Sequence, residues 1–306
     1  MMTALARTRR ISKFALRQNV LGYLWISPWL LGFLFFIFGP MMASLGFSFT
    51  NYRIVNEASW VGFDNYVYAL TEDDLFWPSM MLTFLFMLVS VPLGVVGSLL
   101  LALLLNTRLR GETLYRTFFF LPTLTPLAAA AILWTWILHP EVGMMNYLLS
   151  LIGVPGPAWL SSTTWAMPSI MLITLWTSIG GGRMIIFLAG LQGVPQELYE
   201  AAEIDGAGSW PKFWNITLPM ISPALFFNLV LGIIGALQVF TTAYIATRGG
   251  PGRATWFFAL HIYTSAFEYF DMGYASALAM ILFLILFVFT LIQLRLSDKW
   301  VYYAGG

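Results

Sequence analysis

The chain has 306 residues, 59% of them hydrophobic and 9% charged, with a formal net charge of +1. Soluble domains carry about 45–50% apolar and about 25% charged residues. This composition, with a mean hydropathy of +0.79, therefore excludes a soluble enzyme and a disordered chain, and the near-neutral balance excludes a nucleic-acid binder, which needs a basic face.

The absence of cysteine removes disulfides, thiolate metal sites and cysteine nucleophiles. A helix crossing about 30 Å of hydrocarbon needs roughly 20 mainly apolar residues. Six stretches meet that requirement: Leu21–Phe49, Ser79–Leu105, Phe118–Leu138, Trp165–Leu191, Met220–Ala246 and Met272–Leu294. The third is weakest at its start, where Pro122 and Pro126 interrupt it. The first follows a basic segment but is far longer than the 7–15 residues of a signal-peptide core, so it is expected to be an uncleaved helix. Residues 1–306 are expected to form a single all-α transmembrane domain with no large cytoplasmic unit.

Orientation follows from the basic residues. Arg7, Arg9, Arg10, Lys13, Arg17, Arg108, Arg110, Arg116, Lys212, Arg295 and Lys299 fall on one side of the six spans, and only Arg53, Arg248 and Arg253 on the other. The positive-inside rule then puts both termini in the cytoplasm, as an even number of spans requires. External segments include the carboxylate run Glu72, Asp73 and Asp74, expected to be a solvated run or turn, and a turn at Gly249-Gly250-Pro251-Gly252. His139 and His261 are external and far apart, without metal-ligand spacing. Gly143–Gly153 is too short to span and is expected along the outer interface.

The loop Gln192–Pro219 runs against the rule for cytoplasmic loops, with Glu197, Glu200, Glu203 and Asp205 against Lys212 alone. Helix formers followed by Gly206 predict a short helix with a glycine C-cap, and Ser209-Trp210-Pro211 suits the start of a second one. A solvated acidic connector would account for this composition. So would a small-faced acidic helix docking on a basic partner, with Ala201 and Ala202 permitting close approach.

Glu200-Ala201-Ala202, then Gly206 after three residues, then Ile216, Leu218 and Pro219, resemble the EAA–G–I–LP motif of permease subunits in binding-protein-dependent ABC importers. Supporting runs are Trp60-Val61-Gly62-Phe63-Asp64-Asn65-Tyr66, Phe187–Gln192, Gly249-Gly250-Pro251, Ile262-Tyr263, Ala266-Phe267 and Gly273-Tyr274-Ala275-Ser276-Ala277. The resemblance covers nearly the whole chain and is to the carbohydrate-uptake, maltose/glycerol-phosphate permease branch. It implies a type I importer permease fold in a bacterial or archaeal plasma membrane. Glu200, Ala201, Ala202, Asp205 and Gly206 would then form the coupling helix and its turn, with Glu200 facing a basic group of a cytoplasmic ATPase. The implied partners are an ABC ATPase dimer holding ATP and Mg, a second homologous permease subunit and an extracytoplasmic solute-binding protein, in membrane lipid. No cofactor is expected on this chain, since a P-loop needs G-x-x-x-x-G-K-[ST] and none of Lys13, Lys212 and Lys299 follows a glycine.

Within the spans the one charge is Arg183, after Gly180-Gly181-Gly182 and about 12 Å from the Leu191 end at 1.5 Å per residue. It either satisfies carbonyls freed by the glycines or snorkels to the cytoplasm, or it faces the translocation path and contacts a sugar hydroxyl or an anion. In the fifth span Asn228, Gly232, Gly235, Gln238 and Thr242 recur at helical spacing. Such a stripe packs helices together, or its amides and hydroxyls line the path. No catalytic metal, paired carboxylates or G-x-S-x-G is expected in the spans, which argues against an intramembrane enzyme. An autonomous secondary transporter or channel is the alternative, although it lacks the membrane-embedded carboxylates that ion coupling uses.

Overall fold

The computed structural model describes residues 13–54, 57–107 and 111–302. Arg7, Arg9, Arg10, Arg108 and Arg110, which contribute to the charge bias, lie outside the described residues. Regular structure among the described residues is helical, apart from two isolated bridges, Thr50–Trp60 and Arg53–Asp271.

Helix α1 (Lys13–Phe33) passes through a π turn (Leu34–Phe38) into α2 (Gly39–Phe47). Short α3 (Asp64–Thr71) leads into α4 (Phe76–Leu105), followed by α5 (Glu112–Leu124), α6 (Leu127–Ile137) and the surface helix α7 (Met144–Leu151). Then come α8 (Ala166–Ile179), α9 (Gly182–Gln192), α10 (Gln196–Ile204) and α11 (Ser209–Lys212). After a second π turn (Phe213–Thr217) the chain continues as α12 (Leu218–Met220), α13 (Ser222–Leu237), α14 (Thr241–Ala246), α15 (Phe258–Tyr263), a third π turn (Thr264–Glu268) and α16 (Met272–Ser297). The first two π turns each end two residues before a proline, Pro40 and Pro219. Proline has no N–H to donate to the ladder, so the hydrogen bonds must re-register there.

Four stretches are long and apolar enough to cross a membrane: Arg17–Phe47, Phe76–Leu105, Ser222–Ala246 and Met272–Ser297. Two more are bent pairs, α5 with α6 at 97° and α8 with α9 at 43°. Counting each pair as one span gives the six expected. The third and fourth spans are therefore corrected from single helices to broken ones. The third breaks at Thr125-Pro126, where Thr125 is extended (ψ 125°), as the residue before a proline tends to be. The fifth loses its helical bonding at Gln238–Phe240, where Phe240 adopts φ −140° and ψ −63°.

Lipid gives no hydrophobic force between helices, so association depends on close packing. Helix α4 supplies it with a buried stripe of small residues, Ser79, Thr83, Ser90, Gly94, Ser98 and Ala102, and packs against α5, α8, α9, α13 and α15. One apolar cluster, with Phe86, Val95, Phe187, Leu191 and Ala236, joins α4, α9 and α13. A second, with Phe76, Leu237, Phe258 and Leu278, ties α4 to α15 and α16. The first span stands clear of this core, none of its apolar stretch being buried, and α2 leans on α16.

The two ends of the bundle are fastened separately. At one, the Tyr199 hydroxyl meets Thr217 Oγ1 at 2.9 Å, and the Tyr302 amide donates to Ser222 Oγ at 2.8 Å. At the other, Asn65 Nδ2 donates to the carbonyls of Ser48 and Thr50 at 2.9 and 2.8 Å. There Gly273 also donates its amide to the Tyr52 carbonyl at 2.9 Å. The family-like runs at Trp60–Tyr66 and Gly273–Ala277 thus meet across the end of α2.

Candidate functional site

The break between α8 and α9 builds the centre of the site. Gly180 lies against the Phe119 carbonyl and Gly181 against the Thr123 side chain, so closely that a Cβ on either glycine would overlap them. Thr123 Oγ1 donates to the Thr177 carbonyl at 3.1 Å across the same contact. The glycines therefore let α5 press into the bend, and α9 restarts with Arg183 as its second residue.

Arg183 does not run outward along α9. Its guanidinium occupies a gap between α4 and α13 left by two glycines: a Cβ on Gly94 would stand 2.5 Å from Nη1, and one on Gly232 would stand 3.2 Å from Nη2. The guanidinium helps line a cavity of about 250 Å³, together with Phe86, Ser90, Leu127, Thr174, Thr177, Ser178, Gly235, Gln238, Phe240 and Thr242. Of the residues singled out in the sequence, the cavity brings together Arg183, Gly232, Gly235, Gln238 and Thr242. Asn228 is placed elsewhere: it is fully buried, its Nδ2 lies 3.4 Å from the Arg183 carbonyl, and its Oδ1 has no partner among the described residues. It joins α13 to the start of α9.

The acidic loop folds as the helix pair read from its sequence. Gly206 adopts φ +78°, a left-handed conformation that glycine takes without steric penalty. The Ala207 amide returns to the Ala202 carbonyl at 2.8 Å and the Gly206 amide to the Glu203 carbonyl at 3.0 Å, the paired bonds of a left-handed C-cap. Asp205 sits at the C-cap itself. Lys212 on α11 pairs with Glu203 at 2.8 Å, which holds the two short helices at a fixed angle. Glu200, Ala201, Asp205 and Gly206 remain exposed and Ala202 half-buried. Around them Ile204 is 88% exposed and Trp210 71%, large apolar side chains presented on an otherwise polar surface.

At the opposite end the sequence reading needs correcting. Glu72 and Asp74 are exposed as expected, but Asp73 is not part of a solvated run: its side chain is 10% exposed and that of His261 only 4%. Asp73 Oδ2 meets His261 Nε2 at 2.7 Å and accepts the Tyr274 hydroxyl, while Oδ1 accepts the Leu75 amide at 2.8 Å. Burial alone would push the Asp73 carboxyl up, but the bonds from Tyr274, Leu75 and His261 outweigh it and hold the carboxyl below its ordinary range. The partners lie 188 and 201 residues away in sequence, so no local pattern announces them. Among the described residues no cluster of His, Cys, Asp and Glu forms a metal site.

Comparison with known proteins agrees with this architecture. The chain is 40% identical over 304 residues to the probable ABC transporter permease protein YesP of Bacillus subtilis (strain 168), covering 98% of this chain and 96% of that one. It is 36% identical over 290 residues to the trehalose/maltose transport system permease protein MalF of Thermococcus litoralis, covering 94% and 96%. Its fold is similar to a chain of the bacterial alginate ABC transporter solved in complex with an alginate pentasaccharide-bound periplasmic protein, with a TM-score of 0.83, 25% identity and coverage of 93% and 96%. Residues 94–302 match the family model of the binding-protein-dependent transport system inner membrane component. With the broken spans, the lined cavity and the capped acidic helix in place, the chain belongs to that family, as a multi-pass inner-membrane permease of an ABC transporter.

Proposed function

We propose that this permease imports a sugar delivered by an extracytoplasmic binding protein, working beside a second homologous permease subunit and above a cytoplasmic ATPase dimer. That ATPase would bind ATP and Mg and carry out the hydrolysis. The observation that carries the proposal is the pairing of a cavity with polar side chains set in apolar walls, at the bend of α8 and α9, with the exposed helix α10 on the same strand of chain. Ser90, Thr174, Gln238 and Thr242 offer the mixed donors and acceptors that sugar hydroxyls use. Relatives named for trehalose and maltose and a structural neighbour solved with an alginate oligosaccharide support a saccharide cargo, one neutral and one acidic.

Helix α10 is tied to the spans by a short connector and one side-chain bond. Tyr199 is bonded to Thr217 at the start of the fifth span, and α9 runs into α10 after only Gly193–Pro195. A push on Glu200 and Ala201 from an ATPase cleft would therefore reach the α8–α9 bend without a flexible linker between them. The exposed Ile204 and Trp210 would be covered by that cleft, and Glu200 would pair with a basic group in it.

The test is reconstitution of the complex co-purified with this chain. ATP-driven sugar uptake should require the ATPase and the binding protein. Glu200→Lys should insert normally yet lower uptake at least about tenfold, because reversing one member of an interfacial charge pair costs about 2–5 kcal/mol. Full uptake by Glu200→Lys refutes the coupling assignment. Uptake by this chain alone, without ATP, refutes the importer reading in favour of an autonomous carrier.

A further inference from the structure

We propose that the cargo passing Arg183 is an anionic sugar and that the Arg183 guanidinium recognises its charge. This rests on the cavity being the translocation path.

The first observation is that Arg183 lacks a counter-charge of its own. All 14 carboxylates of the sequence lie in loops or close to helix ends, none in the interior of a span. The ion pairs among the described residues engage Arg53, Arg116, Lys212 and His261, and none engages Arg183. The second is direction. A guanidinium placed only to escape the membrane would extend along α9 towards the polar end, whereas this one turns sideways between α4 and α13 and lines the cavity. The third is room. Gly94 and Gly232 stand on either side of the guanidinium, and a methyl group on either would crowd its nitrogens.

The remaining lining decides the class of ligand. The other polar side chains, among them Ser90, Thr174, Ser178, Gln238, Thr241 and Thr242, are neutral and already supply donors and acceptors for hydroxyls. Guanidinium adds only donors, in a planar fork that matches two oxygens of a carboxylate or sulfonate. In a site walled by Phe86, Leu127 and Phe240, a low local dielectric strengthens that charge–charge attraction. A neutral sugar can accept charge-assisted hydrogen bonds from it, whereas an anionic one also supplies the missing counter-charge.

The test uses the whole complex in proteoliposomes, with binding protein shown to be loaded with each probe. Three probes are used: a uronate-bearing oligosaccharide, a sulfonated sugar, and the uronate probe with its carboxylate reduced to an alcohol. The wild-type complex should accumulate at least one anionic probe faster than the neutral one, and the choice between uronate and sulfonate identifies the anion. Arg183→Gln should lower anionic uptake by about tenfold or more, the worth of a hydrogen bond to a charged group. Arg183→Lys should recover part of it, and both variants should still co-elute with their partners. Gly232→Ala keeps the charge but displaces Nη2, and should slow anionic uptake more than neutral uptake. Preferential uptake of the neutral probe overturns the assignment, as does anionic uptake at the wild-type rate in Arg183→Gln. Loss of assembly in both Arg183 variants with unchanged probe preference in Gly232→Ala overturns it too, in favour of a structural cation. If the wild-type complex carries no sugar under ATP, the sugar-importer reading itself fails, a result distinct from any of these.

Discussion

Asp73→Asn removes one charge from the end of the bundle where α4 starts and leaves the side-chain shape almost unchanged. Asp73 fastens the start of α4 to α15 and α16 by accepting from Leu75, His261 and Tyr274. His261 Nδ1 is buried without a partner, so the hydrogen-bond network assigns the ring proton to Nε2, where it donates to the carboxylate. An asparagine can keep its oxygen towards His261 and Tyr274, but its NH2 group then faces the Leu75 amide and that bond is lost. The two bonds that remain fall from the charged range of about 1.5–3 kcal/mol to the neutral range of about 0.5–1.5 kcal/mol. At 10% side-chain exposure water restores little of this, and the expected loss is about 3 kcal/mol.

The pH dependence has a defined sign. The Asp73 carboxyl is held below its ordinary value, so the unfolded chain takes up the proton more readily than the folded one. The stabilisation is therefore complete above the ordinary carboxylate pKa of about 3.9 and is lost as the pH falls through the lower, folded-state value. Thermal unfolding of the purified complex, followed by tryptophan emission from pH 7 to pH 3, measures both effects. Asp73→Asn should unfold well below wild type at neutral pH, and the difference should shrink below about pH 4. Equal midpoints at pH 7, or a difference that stays constant through the acid range, would refute the role given to the charge.

Two close backbone contacts give further expectations. Gly180→Ala forces a methyl group onto the Phe119 carbonyl, which cannot rotate away, and should cost towards the upper end of the about 1–3 kcal/mol of overpacking. Because the same contact sets the α8–α9 bend, uptake by the reconstituted complex should fall more than the thermal midpoint alone accounts for, and an unchanged rate would detach the bend from transport. Gly273→Ala meets the Thr50 carbonyl and would stand 2.9 Å from the Tyr52 amide nitrogen. It should destabilise by about 1–3 kcal/mol, seen as a lower unfolding midpoint, with the defect confined to the α3–α4 end of the bundle.

The parts legible in the sequence were those with a short-range physical cause. Six apolar stretches, the charge bias and the Gly206 cap each depend on residues within one or two turns of each other. Pro126 announced the weakness of the third span for the same reason. The bend after Ile179 was half legible: its glycines stood out, but glycine alone does not distinguish a helix that bends from one that packs closely. The lapse at Gln238–Phe240 carries neither glycine nor proline, so the sequence shows one helix where the structure has α13 and α14. The Asp73 network was illegible because each of its side chains meets the others only after four or more spans have assembled.

Arg183 shows most clearly how local cost and global purpose separate in this chain. An arginine near the bilayer centre costs at least about 2.5 kcal/mol against an apolar residue. Glycine in a helix interior costs about 1 kcal/mol more than alanine, and of the two glycines in each flanking helix one stands against the guanidinium, Gly94 in α4 and Gly232 in α13. Folding alone would favour an apolar side chain at 183 and alanine at the other two positions. Three separate departures from stability converge on one guanidinium, and the bend at Gly180 and Gly181 delivers it to the cavity. Other span glycines serve elsewhere, Gly97 against Ile179 and Gly190 against Ala224, but Gly94 and Gly232 both stand against the guanidinium, and room on two sides of a charge is what a binding group in the path requires.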